Sequence, residues 1–140
     1  MTGTRTSGRP LLLDASALTA FLRRESGWQA VASALTQPPC MIGAAQLVEV
    51  EGKLVSDGSV TPAQFQAELG LLGHILQPVP FSLVATRAAS FYYARRRPYG
   101  LSLGDALCLG LAEALNADVM TAERAWASIP DLPFQIQTIR

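Results

Sequence analysis

Four acidic residues stand where an alternating α/β chain could bring them together: Asp14, Glu49, Asp105 and Glu123. Asp14 ends the apolar run "LLLDASAL", where a buried strand gives way to a helix. In open α/β sheets, ligands bind beyond that carboxyl end of a strand. Glu123 follows the apolar "DVMTA" in the same way. Glu49 lies inside the helix after the second strand, on one polar stripe with Gln46 and Lys53. Asp105 opens the most apolar helix of the chain, "SLGDALCLGLAEALN". Clustered carboxylates repel one another, and some take up a proton unless a cation intervenes. Hard oxygen ligands suit Mg²⁺ or Mn²⁺, held together with water and substrate phosphate. Such a centre supports hydrolysis of a phosphodiester without a histidine or serine nucleophile.

Each acid also has a plain structural reading. Aspartate is a favoured helix cap, which fits Asp14. The Gln46–Glu49–Lys53 stripe reads as a solvated face, with a Glu49–Lys53 pair worth a few tenths of a kcal/mol at about four residues' spacing. "SLGD" fits the Ser-x-x-Asp capping pattern, with Ser102 as cap and Asp105 at the third helical position. Glu123 fits the first turn of a short helix, where the dipole favours an acid. Asp118 precedes its strand and falls at the opposite edge of the sheet, and Glu51 reads as surface.

The elements that would position these acids alternate along the chain. "PLLLDA", "CMIGA" and "ADVMTA" read as short buried strands, "LQPVPF" as a short strand or link, and "FQIQTIR" as a final strand with period-2 alternation. Helices are expected at "SALTAFLRRE", "GWQAVASALT" and "AQLVEVEGKLVSDG", the last stopping at Asp57-Gly58. "TPAQ" starts another, with Thr61 as cap, proline in the first turn and Gln64 closing a capping box. "SLVATRAASFYYARRR" reads as a helix with Val84, Ala88 and Phe91 on one face, and "ERAWASI" as a short one. This pattern predicts a three-layer α/β/α domain around a mostly parallel, roughly five-stranded central sheet.

The 140 residues suit one domain, expected at 10–140 behind a flexible polar segment at 1–9. With 49% hydrophobic and 16% charged residues, the chain can bury a core and is not a disordered polymer. Eleven acids balance eleven basic residues, so any nucleic-acid contact must come from a local patch. No stretch approaches the roughly 18 apolar residues of a membrane span, and the start lacks a secretory leader, so a cytoplasmic protein with no membrane partner is expected. Cys40 and Cys108 sit far apart in apolar settings and read as core residues. His74 is the only histidine, which excludes histidine-rich metal centres, and no G-x-S-x-G elbow is present.

Four strings together, "LLLDASAL", "AAQLVEVEGKL", "LSLGDALCLGLAEAL" and "ADVMTAERAW", resemble in order and spacing the PIN domain, and within it the VapC toxins of bacterial toxin–antitoxin pairs. The resemblance runs from about Pro10 to near the end. It implies a Mg²⁺- or Mn²⁺-dependent endoribonuclease, with Asp14, Glu49, Asp105 and Glu123 as the metal-binding and catalytic acids. Glu123 stands where the family usually has aspartate, and Gln46 where it usually has asparagine. Gln46, Ser102 and Thr121 are candidates to orient the carboxylates. The resemblance further implies an RNA substrate, a homodimer and a VapB-like antitoxin that blocks the site.

"FYYARRRPYG" interleaves aromatic residues with Arg95, Arg96 and Arg97, a combination that can hold phosphates and stack on unpaired bases. The same arginines also suit a helix C-terminus. Two other acid-rich α/β families fit poorly: "DAS" lacks the Asp-x-Asp of haloacid-dehalogenase phosphatases, and the only lysine, Lys53, is misplaced for a phospho-receiver. The alternative function is a catalytically degenerate PIN domain acting as a binding module.

Overall fold

The computed structural model describes residues 8–37 and 39–140. Residues 1–7, most of the segment expected to be flexible, lie outside the described residues. Strand β1 (Leu11–Leu13) leads into helices α1 (Ala15–Arg23) and α2 (Trp28–Leu35). Strand β2 (Cys40–Gly43) leads into α3 (Ala44–Ser56) and α4 (Pro62–Leu71), and β3 (Gln77–Val79) into α5 (Thr86–Ala94) and α6 (Leu103–Leu115). Strand β4 (Asp118–Thr121), a short 3₁₀ turn at Arg124–Ser128 and β5 (Ile136–Thr138) complete the described chain.

The sheet has five strands in the order β3-β2-β1-β4-β5, and every neighbouring pair is parallel. The expected three-layer α/β/α architecture is therefore present. Its cause is visible in β1, where Leu11, Leu12 and Leu13 are all fully buried. Successive side chains on a strand point to opposite faces. Leu11 and Leu13 pack with Ala17, Leu18, Val50, Leu54 and Phe65 from α1, α3 and α4. Leu12 packs on the other face with Leu109, Ala112, Tyr92 and Trp126 from α6, α5 and the late turn. A strand covered on both sides must be apolar at every position, which explains the unbroken leucine run.

The helix ends follow their sequence signals. Thr61 Oγ1 accepts from Gln64 N–H at 3.1 Å while Gln64 Oε1 accepts from Thr61 N–H at 2.8 Å, the reciprocal capping box expected at "TPAQ". Helix α6 carries the same device and ends on Asn116 at φ 52°.

The helix expected across residues 82–97 differs. A 3₁₀ turn occupies Leu83–Ala85, and α5 ends at Ala94, ahead of all three arginines. Its buried face is Ala85, Ala89 and Tyr92, whereas Val84 and Phe91 are exposed at 79% and 52%. The reason is the close approach of α6: a Cβ on Gly110 would meet Ala89 N at 2.5 Å, so only small residues fit there. Tyr92 then takes the next buried position, because its hydroxyl reaches Glu113 Oε1 at 2.6 Å.

Candidate active site

The strand order reverses at β1, with β2 and β3 on one side and β4 and β5 on the other. Beyond the carboxyl ends of β1 and β4 lies a cleft of about 370 Å³, lined by Asp14, Glu49, Asp105 and Glu123. All four acids singled out from the sequence therefore face one space. Gln46, Lys53 and Cys108 line it as well.

Asp14 is pinned at every polar atom. Its backbone N–H extends the β1–β4 ladder by donating to Met120 O at 3.0 Å. Its Oδ1 caps α1 by accepting from Ala17 N–H at 2.8 Å. Thr121 Oγ1 donates to Oδ2 at 2.6 Å, and Ser16 Oγ lies 2.8 and 2.9 Å from the two oxygens. The cap role and a role in the cleft coexist, because the strand end and the helix start meet at this one side chain. Burial pushes the Asp14 carboxyl up from 3.8 to about 6, against the hydrogen bonds of Thr121, Ala17 and Ser16, and the charge of Asp105 adds to the rise.

Glu49 projects from α3 toward the start of α6. A Cβ on Gly104 would come within 2.7 Å of Glu49 Cδ, so the absence of a side chain at Gly104 is what admits the carboxylate. Burial, then the charge of Asp105, raises the Glu49 carboxyl above its ordinary value, while a hydrogen bond from Gln46 lowers it. Gln46 is 1% exposed, and its Nε2 donates to Gly104 O at 2.9 Å, so it ties α3 to the first turn of α6. The stripe read as a solvated face is thus partly an interior contact. Among the described residues the ion pairs are Arg9–Asp118 and Arg23–Asp57, so Glu49 and Lys53 do not pair.

Asp105 sits in the capping box of α6. Its Oδ2 accepts from Ser102 N–H at 2.9 Å, and Ser102 Oγ accepts from Asp105 N–H at 3.1 Å. Glu123 is exposed just past β4, where its N–H donates to Thr121 Oγ1 at 3.0 Å. Thr121 therefore links the first and last acids. Cys108, fully buried on the cleft floor, has its thiol pushed well up by burial and further by the charges of Asp14, Asp105 and Glu49. Three carboxylates from three elements act on one atom there. Such a thiol is an inert core group, as expected from its apolar setting.

Sequence reasoning missed Ser16 and Gly104. Ser16 Oγ also accepts from Ala122 N–H at 2.9 Å, so it braces Asp14 against the end of β4. The hydroxyl two residues after a strand-end aspartate was the available signal. Nothing in the sequence marks Gly104 apart from other helix-start glycines.

The donor set is all hard oxygen and carries repulsion that a divalent cation would relieve, so the residues suit Mg²⁺ or Mn²⁺. Among the described residues no three acidic, cysteine or histidine side chains converge tightly enough to enclose an ion unaided. An ion there would be held directly by one or two carboxylates, with water and substrate phosphate as the other ligands.

Known structures share this architecture. Haemophilus influenzae VapBC-1 superposes with a TM-score of 0.71 at 16% identity, covering 93% of this chain and 98% of the other. VapBC2 from Rickettsia felis, bound to a promoter DNA fragment, gives 0.70 at 19% identity over 92% and 98%. Mycobacterium tuberculosis VapC20, a toxin that cleaves the sarcin–ricin loop, gives 0.64 at 14% identity over 84% and 94%. No curated protein matches by sequence. The sequence model of the PIN domain matches residues 11–132, nearly the whole described fold, and the chain belongs to the PIN domain family.

Proposed function

We propose that this protein is a VapC-type endoribonuclease toxin that hydrolyses RNA phosphodiester bonds with a bound Mg²⁺ or Mn²⁺. The observation that carries the reading is the convergence of Asp14, Glu49, Asp105 and Glu123 on one cleft at the strand-order reversal. Family membership and the likeness to toxin–antitoxin structures support it.

In this reading one or two of Asp14, Glu49 and Asp105 would hold the divalent ion directly, and the remaining acids, Glu123 among them, would reach it through water. The bound ion would lower the pKa of water and offset charge on the phosphate. Thr121, Ser16 and the Ala17 amide keep Asp14 in a single rotamer, so its oxygens do not reorganise when charge develops. Gln46 and Gly104 hold Glu49 against α6, on the wall of the cleft where the attacking water would sit. Lys53 lines the same wall and can meet the phosphate's negative charge. Ser102 fixes Asp105 through the helix cap.

The proposed partners are a small VapB-like antitoxin, as in the VapBC complexes that share the fold, and a second copy of the chain, as the family resemblance implies. No described helix is long and apolar enough to cross a membrane. The setting proposed for such a toxin is the cytoplasm.

Incubating the purified protein and its Asp14→Asn variant with structured RNAs in Mg²⁺ or Mn²⁺ tests the reading. The wild type should cut, and the variant should lose at least about a hundredfold in rate. A wild type that binds RNA and metal but cuts nothing would instead identify a binding module.

A further inference from the structure

A second cavity, of about 380 Å³, opens between the end of α5 and the chain after the Arg124–Ser128 turn. Phe91, Tyr99, Leu101 and Ile129 give it aromatic and apolar walls. Arg95, Arg97 and Asp131 also line it. The run of three arginines looks uniform in sequence, but the structure separates its members. Arg95 lies 3.6 Å over the Phe91 ring and donates to Phe91 O at 3.2 Å. Arg96 lies 4.4 Å over Tyr93 and donates to Tyr93 O at 2.9 Å. Both are committed to their own helix end. Arg97 makes no side-chain hydrogen bond, ion pair or ring contact with the described residues, and its cation lines the apolar cavity.

The cavity is close to the acidic cleft along the chain. Leu101 lines it, Ser102 caps α6, and Asp105 follows one turn later. Four residues span at most about 14 Å. A flat ring bearing an adjacent anion is the chemistry that aromatic walls, an unpaired guanidinium and this spacing would recognise. A nucleotide has that form, and Asp131 supplies an acceptor for the N–H groups of a base edge.

We propose that this cavity receives one unpaired nucleobase of the RNA strand, with Arg97 on its phosphate and Phe91 beneath the Arg95 plane as part of the stacking wall. The inference rests on the ribonuclease reading and names how that enzyme would select its substrate: a base paired in a duplex cannot enter.

The test is fluorescence anisotropy on the full chain carrying Asp14→Asn, which removes cutting from the measurement. The probes are a labelled single-stranded RNA and the same strand in a perfect duplex, over a salt series. Arg97→Gln should weaken single-strand binding about tenfold and reduce the slope of log K against log salt by about 0.7, the loss of one phosphate contact. Phe91→Ala should weaken it at least fivefold, the loss of one stacking contact. Duplex binding should be unaffected by either change. Both side chains are exposed, so thermal melts should match the parent and exclude misfolding. Unchanged affinity and slope in both variants overturns the inference even if the wild type cleaves RNA, and loss of binding to a co-expressed antitoxin instead would assign the surface to protein. If the binding changes appear but the wild type cleaves no RNA, the cavity stands and the cleavage reading fails.

Discussion

Asp14→Asn should make the metal-free protein more stable, not less, although it removes the acid at the centre of the proposed site. The Asp14 side chain is 4% exposed, and burial holds its carboxyl at about 6 against 3.8 in an open chain. The sign follows from linkage. Between pH 3.8 and 6 the folded protein binds the proton and the unfolded chain releases it, so stability falls as pH rises through this window and levels off above it. Two pH units at about 1.4 kcal/mol each put the cost of the ionised group near 3 kcal/mol at neutral pH. Asparagine keeps an acceptor for Ala17 N–H but presents an amide to Thr121, which removes about 1 kcal/mol of that gain. The net is about 2 kcal/mol, or roughly 6 °C in Tm for a chain of this size. Thermal melts by circular dichroism in chelator, from pH 4 to pH 8, would read it. The variant should gain on the wild type as pH rises and match it more closely near pH 4. Mn²⁺ should then raise the wild-type Tm and leave the variant unmoved. A variant less stable at pH 7.5, or a gap that ignores pH, would refute the electrostatic reasoning.

Three further outcomes follow from the same geometry. Gly104→Ala should leave stability within about 1 kcal/mol, since the Glu49 end can swing aside, yet lower kcat by an order of magnitude or more as that carboxylate moves; melts and single-turnover cleavage separate the two. Thr121→Val removes the donor to Asp14 and the acceptor for Glu123 N–H, so urea unfolding should show a loss of about 1–3 kcal/mol and the acid limb of the rate profile should move to higher pH. Gly110→Ala should cost about 1–3 kcal/mol in denaturant melts, because its Cβ meets the Ala89 backbone rather than a flexible side chain.

Much of this arrangement is legible in the sequence. Strand and helix identities follow from apolar runs and capping residues, since burial on both faces forces β1 to be unbroken leucine and Ser102 and Thr61 announce their helices. The four acids were found by their places beyond strand ends and on the helices between. The face of α5 was misread by one position because periodicity alone does not distinguish Phe91 from Tyr92; the partner residues Gly110 and Glu113 on α6 decide it. Ser16 was missed for a similar reason. Its importance lies in reaching across to Ala122 and Thr121 on β4, a contact more than a hundred residues away in sequence. Local pattern carries elements and caps, whereas bracing between elements appears only when they pack.

In the proposed mechanism the acidic cleft directs water, not a ribose hydroxyl, at an RNA phosphodiester. Mass spectrometry of the ends left on a cleaved RNA tests it most directly, run with Mn²⁺, with chelator and with the Asp14→Asn variant. The expected result is Mn²⁺-dependent cleavage that leaves linear phosphate ends, tolerates a 2′-O-methyl group at the scissile nucleotide and is lost in the variant. Cyclic 2′,3′-phosphate ends, or cleavage that persists in chelator and in Asp14→Asn, would contradict it.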